Sequence, residues 1–188
     1  MCSLCLALFL AILPTCAAQQ AIILVRHAEK IDDEMNGKDV PLSKAGEERA
    51  RLLAAMLKDS GITVIYATDT VRTRATAQPL SRELHLPIKN LDQRNPEGAV
   101  KRLRKDNPND VVLIVGHADT LPGLLEALGY HQKVRIHSNE YSNLFVVIPR
   151  AGKPPSVIRV GYGEDEGEND ARWKKVPLPR RTSRPGAP

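Results

Sequence analysis

AIILVRH at residues 21–27 begins with five consecutive apolar residues and ends in an arginine and a histidine. Three similar apolar runs follow, ITVIY at 62–66, VVLIV at 111–115 and LFVVI at 144–148. Hydrophobicity that is continuous rather than alternating is typical of strands covered on both faces, as in a parallel sheet between helices. We therefore expect an α/β fold of three layers, with a mainly parallel sheet flanked by helices.

Helical patterns separate these runs. Ser43 is a suitable N-cap for the first helix, and Gly61 is a suitable end. The apolar stripe of this helix consists of Ala50, Leu52, Leu53, Met56 and Leu57. Three further helices are predicted, at 70–83, 96–105 and 121–128. Right-handed crossovers between parallel strands then place every strand-to-helix loop at the same edge of the sheet.

Length and composition indicate one domain. The chain has 188 residues, of which 42% are hydrophobic and 26% charged, and this excludes a wholly disordered protein. We place the domain at 20–162. An excess of 27 Lys and Arg over 22 Asp and Glu gives a net charge of +5, which favours anionic ligands. Because only 4% of the residues are aromatic, base stacking is disfavoured and no nucleic-acid partner is expected.

Both termini differ from this domain. Residues 1–20 carry no charged side chain, and the apolar run at 4–13 is too short for a stable membrane span. We predict a signal peptide at 1–18 and export to the periplasm or medium, with lipid anchoring at Cys16 as the alternative. All three cysteines lie in this segment, so no disulfide framework is expected. The acidic, then basic and Pro-rich residues 163–188 predict a disordered tail.

Polar residues gather where three of the predicted strands end. Arg26 and His27 follow the first strand, the segment 68–72 follows the second, and Gly116 and His117 follow the third. Since the ends of parallel strands share one rim of an open α/β sheet, and ligands bind at such rims, we expect these residues to meet.

The residue types at this rim suit a phosphate group. Guanidinium groups of Arg26 and Arg72 match phosphate oxygens two at a time and stay charged at physiological pH. A helix that begins near Thr70 would add backbone N–H donors, and Gly116 would allow close backbone approach. One neutral imidazole can attack phosphorus while a second, protonated one neutralises developing charge. The remaining histidines show no metal-ligand spacing, so neither a metal nor another cofactor is expected.

The same residues carry a family resemblance. LVRHAEK at 24–30 resembles the Arg-His-Gly signature of the histidine phosphatase superfamily, also called the phosphoglycerate mutase-like family, with Ala28 at the usual Gly position. Three further segments resemble its motifs in the same order: PLSKAG at 41–46, YATDTVRTRATA at 66–77 and VGHADTLPGLLEALG at 115–129. The resemblance spans about 21–149 and implies a phosphoglycerate mutase-like fold.

The resemblance also implies roles for individual residues. His27 is the nucleophile that becomes phosphorylated, and Arg26, Arg72 and His117 complete the phosphate pocket. Arg72 is selected over Arg74 because the family's arginine lies four residues before a Thr-Ala pair. Two positions along a helix correspond to a rotation of about 200°, so Arg74 should face away from the pocket.

The sequence does not decide which residue protonates the leaving group. The branch of acid phosphatases has an aspartate directly after the second histidine, where this chain has Ala118. The mutase branch has a glutamate at the position of Gln93, which cannot donate a proton. Asp92, Glu97 and Asp119 remain candidates, and Asp92 is preferred. A further carboxylate, Glu29, is a candidate substrate-binding residue, and pairing away from the site is its alternative.

These observations predict an exported phosphatase that hydrolyses a small phosphomonoester through a phosphohistidine on His27. Two alternatives come from the same family: a mutase, or a phosphatase acting on phosphohistidine in proteins. A third alternative is a binding protein that keeps the phosphate pocket without turnover. A phosphorylated small molecule is the expected partner in each case except the protein substrate, and the oligomeric state is left open.

Overall fold

The structure is a computed structural model that describes residues 21–32 and 39–163. The predicted signal peptide at 1–18 and the predicted tail beyond Gly163 lie outside the described residues. The regular elements of the described residues lie between Ala21 and Gly161, and the domain bounds of 20–162 stay a prediction.

The described residues form six strands and four helices. The strands are β1 (Ala21–Arg26), β2 (Ile62–Ala67), β3 (Ile88–Asn90), β4 (Val111–Gly116), β5 (Asn143–Arg150) and β6 (Lys153–Gly161). The helices are α1 (Lys44–Leu57), α2 (Val71–Leu84), α3 (Pro96–Asp106) and α4 (Thr120–Ala127). The four predicted helices are confirmed with ends shifted by one or a few residues.

One sheet has the strand order β3-β2-β4-β1-β5-β6. Strands β3, β2, β4 and β1 are parallel, and β5 and β6 join the β1 edge in antiparallel pairs. The predicted α/β class with a mainly parallel sheet is confirmed. Strands β3 and β6 were not predicted, because β3 has only three residues and β6 contains two prolines, which disfavour a strand.

Two apolar clusters cover the two faces of the sheet, which gives three layers. One cluster joins α3 and α4 to the sheet and includes Leu103, Leu121 and Phe145. The other joins α1 and α2 to the opposite face and includes Leu53 and Leu80. Strands β1 and β4 lie between both clusters, which explains why their sequences are apolar without interruption at 21–25 and 111–115.

Helix α1 begins as predicted and presents a narrower apolar face than predicted. The Ser43 hydroxyl accepts a hydrogen bond from the Gly46 N–H at 3.1 Å, as expected of an N-cap. Leu52 and Met56 are 39% and 46% exposed, so the predicted stripe is wrong for these two residues. A Cβ at Gly46 would overlap the carbonyl oxygen of Glu29, so this glycine lets α1 pack closely on the chain that leaves β1.

Candidate active site

The register of β1 and β4 brings the two predicted histidines together. Arg26 pairs with Gly116 across the sheet, and the His27 N–H donates to the Gly116 carbonyl at 2.8 Å. Each histidine is the next residue after its strand, and the two rings lie 5.2 Å apart between centroids. The adjacency predicted from two strand ends is therefore present.

His27 is held in one orientation and kept neutral. Its ring is only 4% exposed, and its Nδ1 lies 2.7 Å from the Ala28 carbonyl oxygen. Since a carbonyl only accepts, Nδ1 carries the proton and Nε2 keeps its lone pair. Burial lowers the pKa of His27 to about 3, against the opposing hydrogen bond to Ala28 and with a further lowering by the Arg26 charge. A neutral imidazole with a free lone pair is the nucleophilic form.

His117 ends a chain of hydrogen bonds that sets its tautomer. Its Nε2 lies 2.8 Å from the Thr68 hydroxyl, which itself donates to the Thr73 hydroxyl at 3.2 Å. Thr68 therefore accepts from Nε2–H, and Nδ1 accepts from Arg72 Nη2, 3.4 Å away. Burial, followed by the Arg72 charge, lowers the pKa of His117 to about 4. The unliganded site thus holds two neutral imidazoles.

Arg26 is fixed by the loop that precedes β5. Its Nη1 donates to the carbonyl oxygens of His137, Ser138 and Glu140, each at 2.9 Å. The guanidinium also stacks on the Tyr141 ring, 4.0 Å from its centroid. Three carbonyl acceptors and an aromatic face hold the cation in a buried position beside His27.

Arg72 enters the site from the first turn of α2, and Arg74 does not. Arg72 lines the same cavity as both histidines, whereas Arg74 is exposed and does not line it. Thr76 closes this turn: its hydroxyl donates to the Arg72 carbonyl at 2.8 Å and accepts from the Ala28 N–H at 2.9 Å. The placement of Arg72 over Arg74 is as predicted, and Thr76 connects it to the residue beside His27.

Two backbone expectations at the site need correction. The N–H of Val71, the first residue of α2, donates to the Asp39 carboxylate at 2.7 Å, so a side chain occupies this donor that we expected to face the anion. At Gly116 an added Cβ would lie 2.8 Å from the Thr120 hydroxyl, which accepts from the His117 N–H. Gly116 therefore makes room for a residue that fixes the His117 backbone.

A cavity of about 490 Å³ opens above these residues. Its floor comprises Arg26, His27, Arg72 and His117, and three exposed carboxylates lie at its rim, those of Asp39, Asp69 and Asp119. The lining is thus cationic at the base and acidic at the mouth.

The structure separates the candidates for the acid. Asp119 lines the cavity two residues after His117. The preferred candidate, Asp92, does not line the cavity. Its carboxylate accepts a hydrogen bond from the Arg94 N–H at 3.0 Å, and the residue lines a separate small pocket beside Tyr66. Glu97 lies in the first turn of α3 and does not line the cavity. Gln93 does line it, as the position of the mutase-branch acid implies.

Glu29 is not placed to bind substrate. Its carboxylate forms a buried ion pair with Arg49 of α1, with Arg49 Nε at 2.8 and 3.0 Å and Nη2 at 2.7 Å from its oxygens. Arg49 also donates from Nη1 to the Tyr162 carbonyl at 2.7 Å. The pair connects the end of β1, helix α1 and the end of β6, so its role is to hold the scaffold behind the site.

Sequence reasoning missed several residues around the site. Tyr141 contacts both the Arg26 guanidinium and the His27 ring, whose centroid is 5.9 Å away, and Thr68 orients His117. Asp39 and Asp69 supply two of the rim carboxylates. Thr68 and Asp69 follow β2 directly and were available from the rule of strand ends. Tyr141 and Asp39 lie in irregular segments, whose path no periodicity predicts.

The described residues contain neither a metal-ligand cluster nor a membrane-spanning helix. Among residues 21–32 and 39–163 no three His, Cys, Asp or Glu side chains are grouped as ligands for a metal ion. No helix in these ranges is both long and apolar enough to cross a bilayer.

Two arginines and two imidazoles line a cavity at the strand ends of an open α/β sheet, and these residue types suit a phosphate group. Residues 22–95 match the model of the histidine phosphatase superfamily (branch 1). The matched segment is about two fifths of the chain and contains Arg26, His27 and Arg72.

Individual curated proteins are similar to parts of this chain. The chain is 36% identical over 76 residues to the uncharacterized phosphatase PhoE of Bacillus subtilis, covering 38% of this chain and 39% of the relative. It is 33% identical over 135 residues to the 8-oxo-(d)GTP phosphatase of Mycolicibacterium smegmatis, covering 62% of this chain and 39% of the relative. The matched region thus spans about two fifths of the length of these curated relatives.

Among solved structures, the protein histidine phosphatase SixA in complex with tungstate superposes with a TM-score of 0.63. The match covers 75% of this chain and 96% of that chain at 18% identity. At this identity the similarity establishes the fold.

Proposed function

We propose that this protein is a phosphatase that hydrolyses a small phosphomonoester through a phosphohistidine on His27. The observation that carries the proposal is the floor of the cavity, where a neutral histidine with Nε2 available lies beside a second histidine and two arginines. The relatives named as phosphatases in the same superfamily support it.

In the first half-reaction the phosphate dianion binds between the guanidinium groups of Arg26 and Arg72. The Nε2 lone pair of His27 attacks phosphorus in line with the ester oxygen; the N–P bond forms as the P–O ester bond breaks. Because Nδ1 donates to the Ala28 carbonyl, the positive charge that develops on the ring is stabilised at that hydrogen bond.

His117 acts on the oxygens of the transferring group. An arriving phosphate competes for the Arg72 guanidinium that now faces His117 Nδ1, and its negative charge raises the proton affinity of the ring. Protonated at Nδ1, His117 then donates to a phosphate oxygen while Nε2–H stays on Thr68. This adds a third cation to the two arginines as charge builds in the transition state.

Asp119 is the group best placed to protonate the leaving oxygen. It lines the cavity two residues after His117 and is exposed at the mouth, whereas His27 is buried at the floor. In the second half-reaction its carboxylate takes a proton from water as the water oxygen attacks phosphorus. The P–N bond breaks, His27 regains its lone pair, and inorganic phosphate leaves.

Replacement of His27 by alanine tests the proposal. We expect His27→Ala to abolish phosphate release from an aryl phosphate, while His131→Ala, at an exposed histidine away from the cavity, keeps the wild-type rate. Retained turnover in His27→Ala would discard the mechanism. If the wild-type protein is stabilised by phosphate or vanadate against heat but releases phosphate from no ester, it is a binding protein instead.

We also propose that the protein is exported, on the strength of the apolar, uncharged residues 1–20. Mass spectrometry of the protein recovered from its native compartment tests this. A mature N-terminus at Gln19 is expected, and recovery of the intact N-terminus from the cytosol would contradict export.

A further inference from the structure

The charges that line the cavity are unevenly distributed between its base and its mouth. Among residues 21–32 and 39–163, Arg26 and Arg72 are the two cationic side chains that line the cavity, and both lie at the base with the histidines. The three aspartates at the mouth are all exposed, and none of the described lysines lines the cavity. Any group attached to the phosphate must leave past these carboxylates.

A charge count shows what this distribution favours. Before a phosphate binds, both histidines are neutral, so the two arginines offset the two negative charges of an arriving phosphate dianion, and a proton that His117 then gains is donated to the phosphate itself. Among the described residues that line the cavity, no cationic side chain is left to receive a second anionic group, and the carboxylates of Asp39 and Asp69 face it. A leaving group with a carboxylate or a second phosphate would be repelled, whereas one with a positive charge would be attracted.

Two of the three carboxylates have no ion-pair partner among the described residues. Asp69 and Asp119 form no salt bridge within the described ranges, and Asp119 makes no capping bond at α4. Asp39 accepts from the Val71 N–H and lies 4.0 Å from Arg72 Nη1 through the same oxygen, Oδ1. The hydrogen bond from Val71 also places Asp39 beside the first residue of α2. Asp69 lies two residues before Val71 in the chain. These two carboxylates therefore lie on one side of the mouth, and Asp119 lies on the α4 side.

The buried nucleophile supplies a separate indication that a ligand spans this cavity. His27 is 4% exposed and lines the cavity, its Nδ1 is taken by the Ala28 carbonyl, and its Nε2 has no hydrogen-bond partner among the described residues. In-line attack requires the leaving oxygen to lie opposite Nε2 across the phosphorus, which directs the leaving group from the buried floor towards the acidic mouth.

We infer that the preferred substrates are phosphomonoesters whose leaving group carries an ammonium or similar cation near the ester oxygen. Asp69 and Asp39 bind that cation, while Asp119 donates a proton to the leaving oxygen. This inference rests on the proposed function only where it calls the ligand a substrate. The preference for a cation applies equally to ligands that bind without reacting.

Three phosphonates of equal length test this preference without turnover: 2-aminoethylphosphonate, propylphosphonate and 2-carboxyethylphosphonate. Calorimetric titration at about pH 9 keeps all three phosphonates doubly ionised while the amine, like that of lysine, stays protonated. We expect the amine to bind on the order of 10-fold more tightly than the carboxylate, with propyl between them, since each exposed pair contributes modestly. The order should weaken as salt is added.

Variants of the rim locate the effect. Asp69→Asn should reduce the preference for the amine over the carboxylate to about 3-fold or less, because one of the two carboxylates that bind the cation is lost. Asp39→Asn should reduce it as well. Asp59→Asn makes the same charge change at the far end of α1, outside the cavity, and should keep the wild-type ratio.

Equal affinities, a reversed order, or a ratio that Asp69→Asn and Asp39→Asn leave unchanged would overturn the inference. Because phosphonates are not hydrolysed, such a result is distinct from a failure of catalysis. A protein that hydrolyses an aryl phosphate yet binds the three phosphonates equally would retain the proposed function and lose this substrate class.

Discussion

The floor and the mouth of the cavity are built in different ways. The floor residues His27, His117 and Arg26 are buried and are placed by the register of two adjacent parallel strands. The mouth is formed by exposed carboxylates on loops and helix starts. The floor thus supplies what every phosphomonoester needs, whereas the mouth contacts the part of the substrate that differs from one ester to another. Substitutions in the two regions should therefore fail in different ways.

The largest effect is expected from the arginine of the floor. Arg72→Ala should lower kcat/KM for any phosphomonoester by about 10²- to 10³-fold, because a charge-assisted donor to the transferring group is lost. Arg74→Ala, two residues along and exposed, should stay within about 2-fold. Steady-state kinetics on one aryl and one alkyl phosphate check this. Equal losses of kcat/KM in the two variants would contradict the assignment of the phosphate contact to Arg72 and not Arg74.

A substitution in the buried ion pair behind the floor should lower the stability of the folded protein. Glu29→Gln leaves the buried Arg49 without its ion-pair partner and should lower the free energy of unfolding by about 3 kcal/mol. Glu47→Gln is the matched control, because its pair with Arg51 is 3.9 Å long and exposed and should contribute less than about 0.5 kcal/mol. Denaturant titration measures both. A Glu29→Gln protein of wild-type stability that had lost substrate affinity would restore Glu29 to the binding site.

The effect on kcat of replacing a carboxylate at the rim should depend on the leaving group of the substrate. Asp119→Asn should lower kcat for an alkyl phosphate by about 10²-fold, since an alkoxide needs a proton. The effect on an aryl phosphate with a good leaving group should be much smaller. Asp92→Asn, outside the cavity, serves as the control. If Asp92→Asn gives the larger and leaving-group-dependent loss, the acid has been assigned to the wrong loop.

The last prediction concerns stability at acidic pH. Burial lowers the pKa of His27 to about 3 and that of His117 to about 4, so the folded protein binds fewer protons than the unfolded chain below the ordinary value of 6.5. Stability should therefore be complete above pH 6.5 and should fall as the pH decreases towards these values, by at most about 1.4 kcal/mol per pH unit for each histidine.

Thermal unfolding between neutral and acidic pH measures this dependence. His27→Ala should flatten it, and His131→Ala should not, since His131 is exposed. A wild-type protein whose stability rises on acidification over this range would show that the two rings are charged in the folded state.

The difference between floor and mouth also explains how far the sequence could predict the site. Arg26, His27 and His117 follow apolar runs closely, so the rule of strand ends places them together, while the family's spacing selects Arg72 and the helical rotation then turns Arg74 away. The structure places Asp119 in the cavity lining and Asp92 outside it, which the local pattern did not predict, because the path of an irregular loop depends on tertiary contacts. The partner of Glu29 was likewise hidden, because Arg49 lies 20 residues further on and on another element.

The same reasoning applies to the fold. Strands β1, β2 and β4 are buried on both faces and were read from their continuous hydrophobicity. Strand β6 pairs only with β5 and tolerates Pro154 and Pro155 near its start, so neither its composition nor its alternation predicts it. Edge elements are fixed by pairing with a neighbour, which a local pattern does not encode.

The most direct test of the account is to trap the phosphorylated intermediate. Rapid mixing with an aryl phosphate, an alkaline quench that preserves phosphohistidine, and peptide mass spectrometry should find one phosphoryl group on the peptide that contains His27. His27→Ala should give none. Steady turnover with no phosphoryl group on the protein, or with the group on another residue, would contradict the assignment of His27 as the nucleophile.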